Sequence, residues 1–175
     1  WSPDSRWLAY TKQLQNYLRA MFVYSLESGS RHQLTDGMSD AVFPVFDRDG
    51  KHLYFAASTD FGLTVGWRDM SSIARPVTRS VYVVVLRKDL PSPLEPESDE
   101  EKLADSADAQ KEKDKEKAKE KQPIEVRIDV DSIGQRILAL PVPARNYTGM
   151  RPGKAGTLFL LESELVILPT GAPGG

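Results

Sequence analysis

The 175-residue chain contains no cysteine, which excludes disulfides and thiolate metal sites. It leaves the compartment open, because cysteine-free proteins occur on both sides of a membrane. Histidine is nearly absent too, with only His32 and His52. Neither has neighbours at a spacing that suggests zinc, so both are read as strand-surface residues. No apolar run approaches the ~20 residues needed to cross a bilayer. A strong excess of one charge is also missing: the formal net charge is −2, so no nucleic-acid footprint is expected. No Gly-x-Ser-x-Gly elbow and no Walker loop occurs, and no serine has a histidine and an acid in a context that suggests a triad. Helical periodicity is almost absent outside one charged segment.

What the chain does contain is a recurrence. Trp1-Ser2-Pro3-Asp4-Ser5-Arg6-Trp7-Leu8-Ala9-Tyr10 aligns with Phe46-Asp47-Arg48-Asp49-Gly50-Lys51-His52-Leu53-Tyr54-Phe55. Each copy reads aromatic, turn residues, a basic residue, then an apolar run. The offset of 45 positions lies at the ~40–45 residues of a four-stranded propeller blade. Pro presets φ in the first turn, and Asp-Gly supplies a positive-φ position in the second.

Short strands follow from alternation and turn residues. They are expected at Trp7–Tyr10, Ala20–Leu26, Arg31–Thr35, Val42–Phe46, His52–Ala57 and Val81–Leu86. Pro44 predicts an edge or a bulge in the fourth of these. Residues 58–79 read as a long connection. Beyond the charged segment, Ile124, Val126, Ile128 and Val130 alternate with Glu125, Arg127 and Asp129, which predicts a half-buried strand. Asp131-Ser132-Ile133-Gly134 turns it, Arg136–Leu140 returns, and Thr157–Glu162 is a further strand. Many short strands with regular turns suit a sandwich, barrel or propeller, and the recurrence favours the propeller.

The segment 91–122 stands apart. From Glu95 to Gln122 it carries a net −4, which leaves the rest of the chain at +2. Between Lys111 and Lys121 the charges alternate. Opposite charges fall at i,i+3 (Lys111–Asp114, Glu112–Lys115) and like charges at i,i+4 (Lys111–Lys115, Glu112–Glu116). Each pair is worth only ~0.2–0.5 kcal/mol, so the two sets nearly cancel. Lys, Glu and Ala favour helix, but without an apolar stripe nothing docks. A solvated insert, disordered or partly helical, is expected. The division is therefore blades over 1–90, the insert over 91–122, and a further truncated blade over 123–175.

Candidate chemistry is sparse. Asp129-Val130-Asp131-Ser132-Ile133-Gly134 opens like a calcium loop, but the fifth and twelfth positions are Ile133 and Leu140 where oxygen ligands are required. Asp47-Arg48-Asp49-Gly50 reads as a turn rather than a cation site. Asp60-Phe61-Gly62 matches a kinase triplet without any of its flanking motifs. No cofactor or metal is expected. Loops at blade tops carry function in such scaffolds, and residues 58–72 form the longest loop with aromatic content. Phe61, Trp67 and Arg68 are the candidate peptide contacts there, with packing over the blade top as the other role for them.

Trp1–Tyr10 resembles the Trp-Ser-Pro-Asp-Gly-Lys motif of Tol-Pal-type and WD-like propellers. The series Leu34-Thr35-Asp36-Gly37, Pro44–Phe55, Val81–Pro93, Ile128–Ile137 and Leu140-Pro141-Val142-Pro143 is similar to the propeller region of tricorn-type serine proteases. The likeness covers nearly the whole chain except the lysine-rich centre of the insert. It implies a pair of β-propellers ahead of a PDZ domain and a catalytic region, with the propellers filtering unfolded peptides. The family's catalytic residues match nothing here, so none is carried over. The expected fold is all-β, an incomplete β-propeller of about three four-stranded antiparallel blades, open at its edges, since closure takes ~4–8 blades. The implied partners are unfolded peptides, the remaining blades and catalytic domain, and further copies in a homo-oligomer, without nucleic acid or membrane. The implied compartment is the cytoplasm, with the periplasm as the alternative. Two other readings stay open: a Tol-Pal-type scaffold without activity, and a propeller hydrolase of the prolyl-oligopeptidase kind.

Overall fold

The computed structural model describes residues 1–60, 77–94 and 124–163. Residues 95–122 of the expected insert and the peptide-contact candidates Phe61, Trp67 and Arg68 lie outside the described residues. Described secondary structure is all-β apart from one 3-10 turn at Ile133–Arg136. Strands β1 (Trp7–Gln13), β2 (Arg19–Ser25) and β3 (Arg31–Gln33) form one sheet in that order. Strands β4 (Asp40–Phe46), β5 (His52–Ser58), β6 (Ser80–Val85) and β7 (Ile137–Ala139) form a second, and β8 (Tyr147–Pro152) pairs with β9 (Leu158–Glu162). All pairings are antiparallel.

The sequence recurrence is a recurrence of hydrogen bonds. Ser2 N–H donates to Trp7 O at 2.9 Å, and 45 residues on Asp47 N–H donates to His52 O at 2.9 Å. Ser5 N–H reaches Ser2 O, and Gly50 N–H reaches Asp47 O. Asp4 accepts from Arg6 N–H at 3.1 Å, and Asp49 from Lys51 N–H at 2.7 Å. The residues closing these turns take left-handed backbone, Ser5 at φ 60° and Gly50 at φ 71°. Strands β1, β2 and β3 thus correspond to β5, β6 and β7, while Trp1 aligns with Phe46 at the end of β4.

Two apolar clusters flank the second sheet. Leu53, Phe55, Ala57 and Val84 pack toward Met21 and Val23 of the first sheet and Leu34 just beyond it. Ala56 and Val81 pack toward Tyr147 and Met150 of the β8–β9 hairpin. Burial on both faces explains why β5 and β6 read as near-continuous apolar runs rather than clean alternation. Each of the larger of these side chains (Leu53, Phe55, Val81, Val84) stabilises by ~1.5–3 kcal/mol on full burial, which outweighs β-propensity as the determinant of these strands.

Pro44 sits where expected. The β4–β5 register shifts between Val42 and Val45, with Phe43 at φ 56°, so the missing proline N–H falls in a bulge at the sheet's first strand. Two strand expectations change. Residues 124–130 form no ladder, although Val126 and Ile128 are buried as their alternation requires. Their backbone is held by side chains instead: Asp4 accepts from Val126 N–H at 2.8 Å, and Trp7 Nε1–H donates to Val126 O at 3.1 Å. The returning strand Ile137–Ala139 therefore pairs with β6 and not with 124–130. The insert's two flanks meet where Asp129 N–H donates to Leu86 O and accepts from Lys88 N–H on its carboxylate. Strand β8 was not among the expected strands, and its Gly149 and Pro152 disfavour strand locally. Burial of Tyr147 and Met150 overrides that local preference.

Candidate functional site

A cleft of about 320 Å³ opens between the two larger sheets. Leu34, Phe55, Ala57, Tyr82 and Ile137 make its apolar walls. Phe55 and Tyr82 stack with ring centroids 5.2 Å apart, because β5 and β6 place them opposite one another. Thr35, Asp36 and Ser39 supply polar lining from the connection between β3 and β4. Thr35 is committed: its hydroxyl accepts from Met21 N–H and its carbonyl from Gln33. Asp36 uses one carboxylate oxygen on Met38 N–H. Among the described residues, its other oxygen, the Ser39 hydroxyl and the Tyr82 hydroxyl make no hydrogen bond. Gly134 also borders the cleft, and a Cβ built there meets no heavy atom within 4 Å.

Next to this rim lies the base of the connection 59–79. Ser58 pairs with Asp40 across the sheet, and its hydroxyl accepts from Asp60 N–H at 3.0 Å. The Asp60 carboxylate accepts from the Thr78 hydroxyl at 3.1 Å, closing the loop's base. Asp40 is fully buried and accepts from both the backbone N–H and the guanidinium of Arg19. That hydrogen bond holds the Arg19 guanidinium above its ordinary value. Arg79 sits 5.9 Å over the Phe43 ring and donates from Nη1 to Tyr147 O. Burial lowers its pKa, opposed by the charge of Asp40. Its Nε is buried with no hydrogen-bond partner among the described residues.

Asp47, Asp49 and His52 bring three possible ligand atoms within 4.8 Å of one another. Asp47 is buried, but its oxygens already accept from Gly156 N–H at 2.9 Å and from the Tyr54 hydroxyl at 3.1 Å. Burial and the Asp47 charge push the Tyr54 phenol well above its ordinary value. Asp49 accepts from Lys51 N–H and sits 2.7 Å from the His52 ring. Burial would raise its pKa, yet the His52 ring and these backbone donors hold it below the carboxylate range. The first copy builds the same turn from Ser2, Asp4 and Trp7, a set in which neither Ser2 nor Trp7 is a metal ligand of the same kind. Both Asp47 oxygens are engaged by N–H and O–H donors, so the cluster braces the turn.

No protein-family model matches the chain. It is 32% identical over 163 residues to Tricorn protease homolog 1 of Streptomyces coelicolor, an alignment covering 91% of the chain. The chain belongs to the tricorn-type family. It spans 14% of that relative's length. Among solved structures it is similar to the crystal structure of the tricorn protease, with a TM-score of 0.51 at 19% identity, covering 86% of this chain and 13% of that one. That likeness extends the tricorn-type assignment to the fold. Among the described residues no helix is long and apolar enough to cross a membrane.

The cleft was not foreseen from the sequence. Leu34-Thr35-Asp36-Gly37 stood out as a family-like stretch. Nothing in its local pattern tells that Phe55, Tyr82 and Ile137, far apart in the chain, form the opposite wall.

Proposed function

We propose that the two larger sheets and the β8–β9 hairpin are successive blades of an incomplete β-propeller, and that this segment serves a tricorn-like serine peptidase without contributing catalytic groups. It gates or guides unfolded peptides toward a protease site outside this chain. The observation that carries the propeller reading is the recurrence of three turn hydrogen bonds at a 45-residue offset, with β1–β3 matching β5–β7. Such repetition is what radial sheets require, since each blade must present the same edge to its neighbour. The tricorn-type relationship supports the peptidase context.

Phe61, Trp67 and Arg68 belong to the connection whose base is closed by Asp60 and Thr78, and in this reading they touch the passing peptide. Remaining blades, a catalytic domain and further copies of the protein complete the assembly, in the cytoplasm, without nucleic acid or membrane partners. The test is hydrolysis by the full-length protein carrying Trp67→Ala. The expected result is a lower kcat/KM for an unstructured peptide of about ten residues with little change for a tripeptide, because only the longer chain reaches the loop while its scissile bond is positioned. Equal effects on both substrates would overturn the guiding role.

A further inference from the structure

We propose that the cleft between the first two sheets binds a lysine or arginine side chain presented by an extended peptide. The proposal rests on the peptide-guiding reading and names the side chain that the peptide presents. The cleft has two chemical halves. Phe55, Tyr82, Leu34 and Ile137 offer an aromatic and aliphatic wall. The polar lining holds one carboxylate, Asp36, and no basic residue. A purely apolar guest would cover the free oxygen of Asp36 and the free hydroxyls of Ser39 and Tyr82 without pairing them, which is costly. An anionic guest would meet Asp36 with like charge. A long cationic side chain meets both requirements: its methylenes lie along the apolar wall and its head donates to Asp36 and the hydroxyls. The half-buried ring of Tyr82, backed by Phe55, adds an attractive face for the cation. The cleft also adjoins the base of the 59–79 connection, through the pairing of Asp40 with Ser58.

Two variants separate binding from folding. Asp36→Asn keeps the acceptor that holds Met38 N–H and removes the charge. Gly134→Trp fills the cleft from a position where an added Cβ meets nothing.

Two measurements on the full-length protein test the idea. In fluorescence anisotropy, a labelled unstructured peptide with one arginine is compared with the same peptide carrying citrulline, its uncharged isostere. The arginine peptide should bind about fivefold tighter, the size of one partly exposed charge pair. Asp36→Asn should abolish that preference, and Gly134→Trp should weaken the arginine peptide. Equal affinities for the two peptides, or a preference that survives both substitutions, would overturn the proposal while leaving peptide guiding intact. In saturation-transfer NMR, free N-acetyl-arginine amide should show transfer to its side-chain methylenes, lost in Gly134→Trp. Absence of transfer in the unsubstituted protein would overturn the cleft assignment whatever the hydrolysis assay gives. Transfer without a Trp67→Ala effect would remove the guiding role and keep the cleft.

Discussion

Replacing Asp47 tests how the repeated turn holds the β8–β9 hairpin. Asp47 is 1% exposed, and its carboxylate has no cationic partner among the described residues. It is held by Gly156 N–H at 2.9 Å and by the Tyr54 hydroxyl at 3.1 Å. Asp47→Ala removes both acceptors. Gly156 lies at an exposed turn, so water recovers much of its N–H, and the loss there is about 0.5–1.5 kcal/mol. Tyr54 is half-buried, and its orphaned hydroxyl costs about 1–3 kcal/mol. A total of about 1.5–4.5 kcal/mol is expected for Asp47→Ala. Asp47→Asn keeps one acceptor oxygen and should cost about half as much. Equilibrium urea unfolding reads these values from the midpoint at constant m. Hydrogen exchange should show the loss first at the amides of 153–157, since the main chain of Asp47 keeps its bond to His52 O in either variant. Both variants falling within 0.5 kcal/mol of the unsubstituted chain, with unchanged exchange at Gly156, would refute the reasoning.

Three further outcomes follow from the same geometry. Arg19→Ala leaves the fully buried Asp40 carboxylate without its guanidinium. It should cost about 2–4 kcal/mol in urea unfolding, below the usual range for a fully buried pair because the Arg19 side chain is 35% exposed. Ser5 holds φ 60° where its counterpart is Gly50, so Ser5→Gly should raise stability by up to about 1 kcal/mol, whereas Gly50→Ala should lower it by about 1–2 kcal/mol. Asp4 is held below the carboxylate range: burial opposes this, but the Ser2 hydroxyl and the N–H groups of Val126 and Arg6 outweigh it. A depressed folded pKa contributes stability that is present above the unfolded carboxylate value and lost as pH falls through the folded one. Asp4→Asn should therefore flatten the acid limb of a stability-against-pH curve below about pH 4, and an unchanged limb would contradict the assignment.

How much of this was legible in the sequence depends on where the determining contacts lie. The turns at Ser2–Ser5 and Asp47–Gly50 were readable because Pro, Asp and Gly act on their own backbone within a few residues. Strands β5 and β6 were readable because burial on both faces makes them nearly continuous apolar runs. Strand β8 was hidden because its stability comes from Tyr147 and Met150 packing on a distant sheet, against the local preference of Gly149 and Pro152. Residues 124–130 show the opposite case. The alternation told correctly that Val126 and Ile128 are buried, though Ile124 on the same face is exposed, and alternation cannot tell whether the backbone partner is a strand or the side chains of Asp4 and Trp7. The cleft is an encounter of four separate stretches, and its chemistry appears only once β5, β6 and β7 lie beside the β3–β4 connection.

The most direct test of the propeller account is an experimental structure of the full-length protein. The account predicts that β1–β3, β4–β7 and β8–β9 fan about one axis, with β4 and β8 nearest to it and β3 and β7 at the rim. Sheets stacked face to face as a closed sandwich, with no such axis, would contradict it.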